Sequence, residues 1–357
     1  MTVQVTGADN GAGVEAEGET TTTTTTKGAT RGRGAGEAEV MIEVRDLRKE
    51  FTVKRKVGRI RRESHTVAAV DGVELSITRG ETVGYIGPNG AGKSTTLKMM
   101  TGILSPSSGY VRVCGLEPVP RRRRLARRIG VVFGQRSQLW WDLPLRESFR
   151  LLGYVYSVPA ADHEARLRQC RAMLELDEFM DTPVRQLSLG QRMRGEITAA
   201  LLHAPDVLFL DEPTIGLDVV SKQSLRAFLG EIRDRGDVTT VLTTHDLADI
   251  EHLCRRLIVI DHGHVVHDGT LEALHTRYGS RRRVVVDLEE PRAVDADAAM
   301  PGVTVESVEA EGRRVTFALE GVPAGELIAR IAHGGGLRDV SVLEPTIEEV
   351  VARLYRG

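Results

Sequence analysis

Short apolar runs alternate with longer amphipathic stretches through the middle of the chain. Four runs are almost entirely apolar or β-branched, at residues 82–86, 129–133, 207–210 and 238–243. Residues 145–180 follow a helical period that is broken near Pro159, and residues 221–233 form a second amphipathic stretch. Continuous apolar runs of this length are typical of buried strands. Strands and helices in alternation predict an α/β fold.

The pattern changes at both ends of the chain. Residues 1–38 consist largely of small and polar residues with almost no large apolar side chain, so they are predicted to form a disordered tail. Residues 39–280 are predicted to form the main domain. From residue 281 onward, short alternating strands are combined with two helical patterns. Residues 281–357 are therefore predicted to form a small α+β accessory domain.

A glycine-rich loop follows the apolar run at 82–86 and precedes a helical pattern. It has the form G-x-x-x-x-G-K-S, and its residues are Gly87, Pro88, Asn89, Gly90, Ala91, Gly92, Lys93, Ser94 and Thr95. In this context the loop presents backbone N–H groups and a helix N-terminus to a phosphate. Lys93 is expected to reach the β- and γ-phosphates, and the Ser94 hydroxyl is expected to ligate Mg²⁺. A turn that binds nothing is the alternative, and the flanking strand and helix argue against it.

Two acidic residues follow the apolar run at 207–210. A phosphate loop requires a partner carboxylate at the end of a neighbouring strand, and Asp211 is expected to hold Mg²⁺ there. Glu212 is expected to orient and deprotonate the attacking water. A solvated turn or a helix cap is the alternative interpretation of adjacent acids. The phosphate loop upstream favours the roles in metal binding and base catalysis.

Composition narrows the classes of function. The chain has 357 residues and a net charge of -2, which gives no global reason to expect nucleic acid or an anionic membrane as a partner. No apolar run approaches the roughly 20 residues that span a bilayer, and the first residues lack the apolar core of a secretory signal. Cys114, Cys170 and Cys254 have no metal-ligand or redox spacing, which indicates reduced thiols.

Two basic segments are interpreted as solvated surface. The basic insertion at 54–62 is predicted to be a hairpin tip, and the arginines between 121 and 128 are predicted to form a solvated helix face.

Several motifs, taken in order over residues 41–270, resemble the ATP-binding cassette (ABC) ATPase family. Besides the phosphate loop, the matching residues are Phe51 at the position of an adenine-stacking aromatic, Gln135 of the Q-loop, Ser188, Gly190 and Gln191 of the LSGGQ motif, Asp211 and Glu212 of the Walker B pair, Asp218 of the D-loop and His245 of the switch. As an ordered set, these motifs are far more specific than a lone phosphate loop.

The resemblance implies a fold, two ligands and a dimer. The fold is a P-loop NTPase domain of the ABC type, with a mixed β core, an antiparallel β subdomain and an inserted helical subdomain at about residues 136–190. The ligands are ATP and Mg²⁺, with Gln135 as a further contact to metal and water and His245 at the γ-phosphate. Ser188 and Gly190 are implied to face ATP bound by the other protomer, in a homodimer or a pseudo-dimer.

The chain departs from the family's motifs in three places. Leu189 replaces a glycine of LSGGQ, and Gly216 replaces a commoner alanine before Asp218. The basic insertion after Phe51 is longer than usual. The role of Phe51 therefore stays open between stacking on adenine and plain core packing.

The resemblance also implies partners. One cassette without a membrane span implies a separate permease subunit, and residues 344–350 look like the ending of ATPase subunits from ABC-2 type exporters. The segment 138–144, with Trp140 and Trp141, resembles one exporter subgroup and lies where the family docks its permease; buried core is the rival interpretation of these tryptophans. We expect an ATP-hydrolysing exporter subunit, cytoplasmic and peripheral on the inner face of the cell membrane, with no nucleic-acid partner. The transported substrate is not determined, because its contacts lie in the permease.

Two other functions compete with export. A soluble ABC ATPase acting on ribosomes or DNA usually carries two cassettes or a long coiled coil, and this sequence has neither. A regulatory module that binds nucleotide without hydrolysing it would not need Glu212 and His245. The sequence therefore favours the exporter subunit.

Overall fold

The computed structural model of the chain describes residues 39–57, 61–134, 137–278, 281–291 and 300–355. The strands in these residues are β1 (Val40–Val57), β2 (Arg61–Thr78), β3 (Thr82–Ile86), β4 (Ser108–Val113), β5 (Ile129–Phe133), β6 (Val207–Asp211), β7 (Thr239–Thr243), β8 (Arg256–Asp261), β9 (His264–Thr270), β10 (Arg281–Leu288), β11 (Val303–Glu309), β12 (Arg314–Glu320) and β13 (Leu337–Leu343). The helices are α1 (Lys93–Met100), α2 (Arg122–Leu125), α3 (Leu145–Tyr156), α4 (Ala160–Met173), α5 (Leu189–Leu201), α6 (Val219–Arg235), α7 (Leu247–Leu253), α8 (Leu271–Tyr278), α9 (Ala324–His333) and α10 (Ile347–Leu354). The predicted tail, residues 1–38, lies outside the described residues.

The central sheet has six strands in the order β5-β6-β7-β3-β8-β9, parallel except for β9, which pairs antiparallel with β8. Strand β6 illustrates why the sheet is buried on both faces. Val207 and Phe209 pack into one core cluster, whereas Leu208 and Leu210 pack into the other. Because side chains alternate along a strand, an entirely apolar strand is stable where both faces are covered. The predicted α/β fold is confirmed.

A second sheet packs beside the first and is antiparallel, in the order β2-β1-β4. The inner part of the β1–β2 hairpin is buried through Ile42 and Val44. The outer part continues the backbone pairing as far as Val57 and Arg61, so the basic insertion extends this hairpin. The antiparallel subdomain that the resemblance implied is present.

The segment between β5 and β6 is helical. Helices α3, α4 and α5 pack through buried side chains that include Phe149, Leu174 and Ile197. Helix α5 begins at Leu189, because Ser188 caps it. Of the described residues, no helix is both long and apolar enough to span a bilayer.

The C-terminal part forms a four-stranded antiparallel sheet in the order β11-β12-β10-β13. Its own core contains Val284, Phe317 and Leu327, the last from α9. Helix α10 does not join that core: its buried side chains, among them Val350, belong to the larger core beneath the central sheet. The division into residues 39–280 and 281–357 stays a prediction, and the last helix packs across it.

Two elements differ from the sequence prediction. Strand β11 was not predicted, because a register shift between Val305 and Ser307 breaks its alternation. The helix expected to carry the arginines between 121 and 128 is a single turn, α2, anchored by the buried Leu125. The chain then enters β5 at Ile129, which leaves no length for a longer helix.

Candidate active site

The phosphate loop packs so closely against its neighbours that two positions require glycine. A Cβ on Gly87 would lie 2.3 Å from the carbonyl oxygen of Ile260, and a Cβ on Gly92 would lie 2.4 Å from that of Ala69. Gly92 also has φ of 104°, in the left-handed region that favours glycine. A tight glycine loop that leads into the N-terminus of α1 is suited to binding an anion.

Lys93 lies across the mouth of the loop. Its Nζ donates to the carbonyl oxygens of Gly87 at 2.5 Å and Pro88 at 3.1 Å. Burial lowers the pKa of Lys93, and the charges of Glu212 and Asp211 oppose that effect. A phosphate held by the loop would favour the ammonium form in the same way, so the side chain is suited to a polyphosphate.

Ser94 and Asp211 meet at the carboxyl edge of the sheet. Ser94 Oγ lies 3.5 Å from Asp211 Oδ1, and Thr243 Oγ1 donates to the same oxygen at 2.6 Å. These are hard oxygen donors, which Mg²⁺ prefers. The described part of the chain has no group of three or more His, Cys, Asp or Glu side chains that could hold a metal. The donors therefore fit Mg²⁺ held by one or two protein ligands together with phosphate oxygens.

Glu212 faces His245 rather than the metal edge. Glu212 Oε1 lies 2.6 Å from His245 Nε2. The backbone of Glu212 is left-handed, with φ of 55°, and its N–H donates to the carbonyl oxygen of Thr243 at 3.0 Å. A non-glycine residue in this region is strained and persists only where its surroundings hold it. The hydrogen bond to Thr243 holds this backbone and keeps the carboxylate beside the loop that follows β7.

Sequence reasoning missed a buried carboxylate that joins the loops after β6 and β7. Asp249, on α7, has an exposed fraction of 0%. It accepts hydrogen bonds from Thr214 Oγ1 at 2.6 Å, in the first loop, and from Thr244 Oγ1 at 3.0 Å, in the second. Arg226 Nε, on α6, donates to it at 2.5 Å. In the sequence Asp249 resembles an ordinary acid in a helix's first turn, so no local signal marked it.

The LSGGQ-like motif and the D-loop form one packed unit. Ser188 Oγ accepts from the Gln191 N–H at 3.2 Å, and Gln191 Oε1 accepts from the Ser188 N–H at 2.9 Å, which is a capping box. A Cβ on Gly190 would lie 2.6 Å from Ser221 Oγ, so glycine allows α5 to approach α6. Ser221 in turn donates through N and Oγ to Asp218 at 2.9 and 2.7 Å.

Two of the three departures from the family's motifs, Leu189 and Gly216, contact each other. A Cβ on Gly216 would lie 2.8 Å from Cδ2 of Leu189. Gly216 has φ of 71°, and Leu189 is otherwise exposed. The leucine therefore uses the space that an alanine methyl would occupy, and each departure makes room for the other.

Two predicted residues of the nucleotide site, Phe51 and Gln135, have roles that the structure does not test. Gln135 lies outside the described residues. Phe51 is 39% exposed on β1, with Lys49 Nζ 5.3 Å from its ring centre, so it is not part of the core. Stacking of Phe51 on adenine and the metal contact of Gln135 stay predictions.

Both tryptophans are partly exposed. Trp140 is 39% exposed and Trp141 is 52% exposed, although Leu139 beside them is buried. The Arg192 guanidinium lies 6.0 Å from a Trp141 ring centre. The rival interpretation of these tryptophans as buried core is therefore wrong, and they present aromatic surface.

The chain is similar in sequence to known ABC transporter proteins. The profile of the family described as ABC transporter matches residues 70–215. The chain is 34% identical over 235 residues to the ABC transporter ATP-binding protein NatA of Bacillus subtilis (strain 168), covering 66% of the chain and 92% of NatA. It is 33% identical over 296 residues to the daunorubicin resistance ATP-binding protein DrrA3 of Streptomyces coeruleorubidus, covering 80% and 90%. It is 41% identical over 213 residues to the Nod factor export ATP-binding protein I of Paraburkholderia xenovorans (strain LB400), covering 57% and 67%.

Solved structures agree. An ATP-binding subunit of an ABC transporter superposes with a TM-score of 0.57 at 27% identity, covering 67% of this chain and 93% of that one. A dimeric post-hydrolysis state of the ATP-binding cassette MJ0796, bound to ADP and Pi, superposes with a TM-score of 0.55 at 28% identity, covering 65% and 99%. The fold is that of the ABC ATPase domains.

Replacing Asp249 tests whether it positions the two loops. Asp249→Asn keeps the size but turns an amide N–H toward donors, so we expect unfolding free energy to fall by about 3 kcal/mol. Among molecules that remain folded, we expect ATP turnover to fall about tenfold or more with nucleotide affinity little changed, because the reacting groups lose their relative position. Steady-state kinetics, nucleotide titration and chemical denaturation measure these quantities.

The matched control is Asp206→Asn, which breaks a carboxylate–arginine pair with Arg128 at the opposite edge of the sheet. If both variants lose turnover only in proportion to their loss of folded protein, Asp249 has no positioning role.

The contact between Leu189 and Gly216 is tested by a double-mutant cycle. Gly216→Ala is expected to impair ATP turnover more in the wild-type background than in Leu189→Ala, with a coupling free energy of about 1 kcal/mol. The strain of alanine at positive φ is present in both backgrounds and cancels. Gly236→Ala is the control, because Gly236 has φ of 68° and nothing near its Cβ position. Equal effects of Gly216→Ala in the two backgrounds would show that its contact with Leu189 does not affect ATP turnover.

Proposed function

The chain belongs to the family of ABC transporter ATP-binding proteins, and we propose that it is the ATP-hydrolysing subunit of an ABC-2 type exporter that works with a separate permease. The observation that carries hydrolysis is the 2.6 Å contact between Glu212 and His245. It lies at the same sheet edge as the Ser94–Asp211 pair. Two similar proteins are named for Nod factor export and daunorubicin resistance, and these names support an outward direction of transport.

The proposed reaction is in-line attack of water on the γ-phosphate. The phosphate loop and Lys93 bind the β- and γ-phosphates, which fixes the phosphorus to be attacked. Ser94 and Asp211 would hold Mg²⁺, which would neutralise charge on the phosphate oxygens. Glu212 accepts a proton from the attacking water as the new P–O bond forms and the bond to ADP breaks. His245, hydrogen-bonded to Glu212, orients the base and the γ-phosphate.

We further propose that the active form is a dimer in which Ser188 and Gly190 face the ATP bound by the other protomer. The family's dimeric structures support this arrangement. The capped start of α5 supplies backbone N–H groups for the γ-phosphate. The site on one chain is then completed only across the interface.

The same proposal locates the chain on the cytoplasmic, inner face of the membrane, attached through the permease. Trp140 and Trp141 supply the contact, since exposed aromatic side chains are favoured anchors of protein interfaces. Phe51 and Gln135 are assigned to adenine stacking and to the metal and water, respectively. We propose no role in binding nucleic acid.

Glu212→Gln tests the hydrolytic step. The amide keeps the size of the side chain but does not accept the proton, so we expect turnover to fall about 10²-fold or more while ATP still binds. Lys93→Ala is expected to weaken ATP binding itself. Glu231→Gln, on the exposed face of α6, is the matched control and should leave turnover unchanged. Normal turnover in Glu212→Gln would remove Glu212 as the base.

Co-purification tests the transport function. We expect the chain, produced together with an ABC-2 type permease from the same organism, to be recovered from detergent-solubilised membranes as a complex. The Trp140→Ala/Trp141→Ala variant should lose about 90% or more of that association, as expected for truncated interface anchors, with little change in melting temperature. Val308→Ala, an exposed apolar residue on β11, is the control. Recovery with ribosomes or DNA instead of a permease would favour the soluble alternative.

A further inference from the structure

Five arginines on one short stretch form an exposed surface that nothing in the described chain neutralises. We call it the arginine patch, and its members are Arg121, Arg122, Arg123, Arg124 and Arg127. None of the five has a side-chain hydrogen bond or an ion pair with another described residue. Leu125, which is fully buried, anchors the turn from which they project.

The neighbouring Arg128, unlike the five patch arginines, is hydrogen-bonded to other parts of the chain. Its Nε donates to Asp206 Oδ2 at 2.7 Å, and its Nη1 donates to the carbonyl oxygen of Cys114 at 2.7 Å. Several exposed arginines elsewhere are paired with carboxylates, for example Arg150 with Glu147 at 2.8 Å and Arg282 with Glu344 at 3.0 Å. The patch is distinguished by its density, because five exposed arginines without a carboxylate partner among the described residues lie within seven residues. Five like charges on the single turn α2 and its flanking residues repel one another and favour an anionic partner.

The patch is not part of the nucleotide site. It precedes Ile129 at the amino end of β5, whereas the phosphate loop, Asp211 and His245 follow the carboxyl ends of parallel strands. Since β5 has five residues, the two edges are separated by about 15 Å. The partner of the patch is therefore a second anion, distinct from ATP.

We propose that the arginine patch binds the phosphate headgroups of anionic lipids on the membrane surface beside the permease. This inference rests on the proposed function, which brings the chain to a membrane. Guanidinium groups bind phosphate through paired hydrogen bonds, and clustered basic residues bind anionic bilayers. Residues 116–128 contain no aromatic side chain for stacking on unpaired bases, and the chain's net charge of -2 gives no broad attraction to nucleic acid.

The experiment is sedimentation of the full chain with vesicles that contain no permease. One set is phosphatidylcholine alone and the other includes phosphatidylglycerol. We expect binding to the anionic vesicles to be about tenfold or more stronger, and to fall in high salt as the charges are screened. The variant with all five patch arginines changed to Gln should lose this difference while keeping its melting temperature and its basal ATP turnover.

A charge-matched control changes five exposed, paired arginines to Gln. They are Arg45, Arg146, Arg150, Arg235 and Arg282. Because both variants lose five positive charges, only loss confined to the patch variant supports the proposal. Equal binding by both variants, or no preference of the wild type for anionic vesicles, would overturn it.

A second measurement separates lipid from nucleic acid. Fluorescence anisotropy with duplex and single-stranded oligonucleotides should give weak binding that the patch substitutions do not change. Patch-dependent binding to an oligonucleotide without patch-dependent vesicle binding would assign the surface to nucleic acid and reject the lipid proposal. Since the vesicles lack permease, failure here leaves the co-purification test of the transport function independent.

Discussion

The parallel pairing of β3, β7 and β6 is the constraint on which the active site depends. Asp211 pairs with Thr243 across β6 and β7, and Gly84 pairs with Leu242 across β3 and β7. Parallel strands end at the same edge, so the phosphate loop, the acidic pair and His245 leave the sheet side by side. Each strand is followed by a crossover through a helix, which also directs helix N-termini toward that edge. Residues more than 100 positions apart in sequence thereby reach one edge of the sheet.

The two covered faces of the sheet make this edge rigid enough to hold unfavourable features. One face packs against α1 and the antiparallel sheet, and the other against the helical segment and α10. On this support Glu212 keeps a left-handed backbone, and Asp249 keeps a fully buried charge with three donors. Strained backbones and buried charges persist where surrounding packing over-determines them. The geometry of the candidate active site therefore depends on packing well behind its own residues.

The contact between Leu189 and Gly216 indicates how two motifs can change in sequence while their packing against each other is kept. The leucine on α5 fills the space above the glycine of the D-loop, so the start of α5 and the D-loop remain one surface.

The two opposite edges of the central sheet carry different sets of charged side chains. Carboxylates and Lys93 lie at the carboxyl edge, whereas the unpaired arginines lie at the amino edge, where they do not compete for the nucleotide.

Local sequence determined the features that depend on neighbours along the chain. Three features were predictable: the phosphate loop, the buried strands and the acids after β6. Each depends on the types of residues that follow one another in the sequence. Strand β11 was missed because a bulge broke its alternation. Tertiary structure alone decided the hydrogen bonds of Asp249, the packing of Leu189 on Gly216, the core position of α10 and the unpaired state of the arginine patch. Each of these is a relation between segments distant in sequence, and it exists only once strand order and crossover paths have brought those segments together.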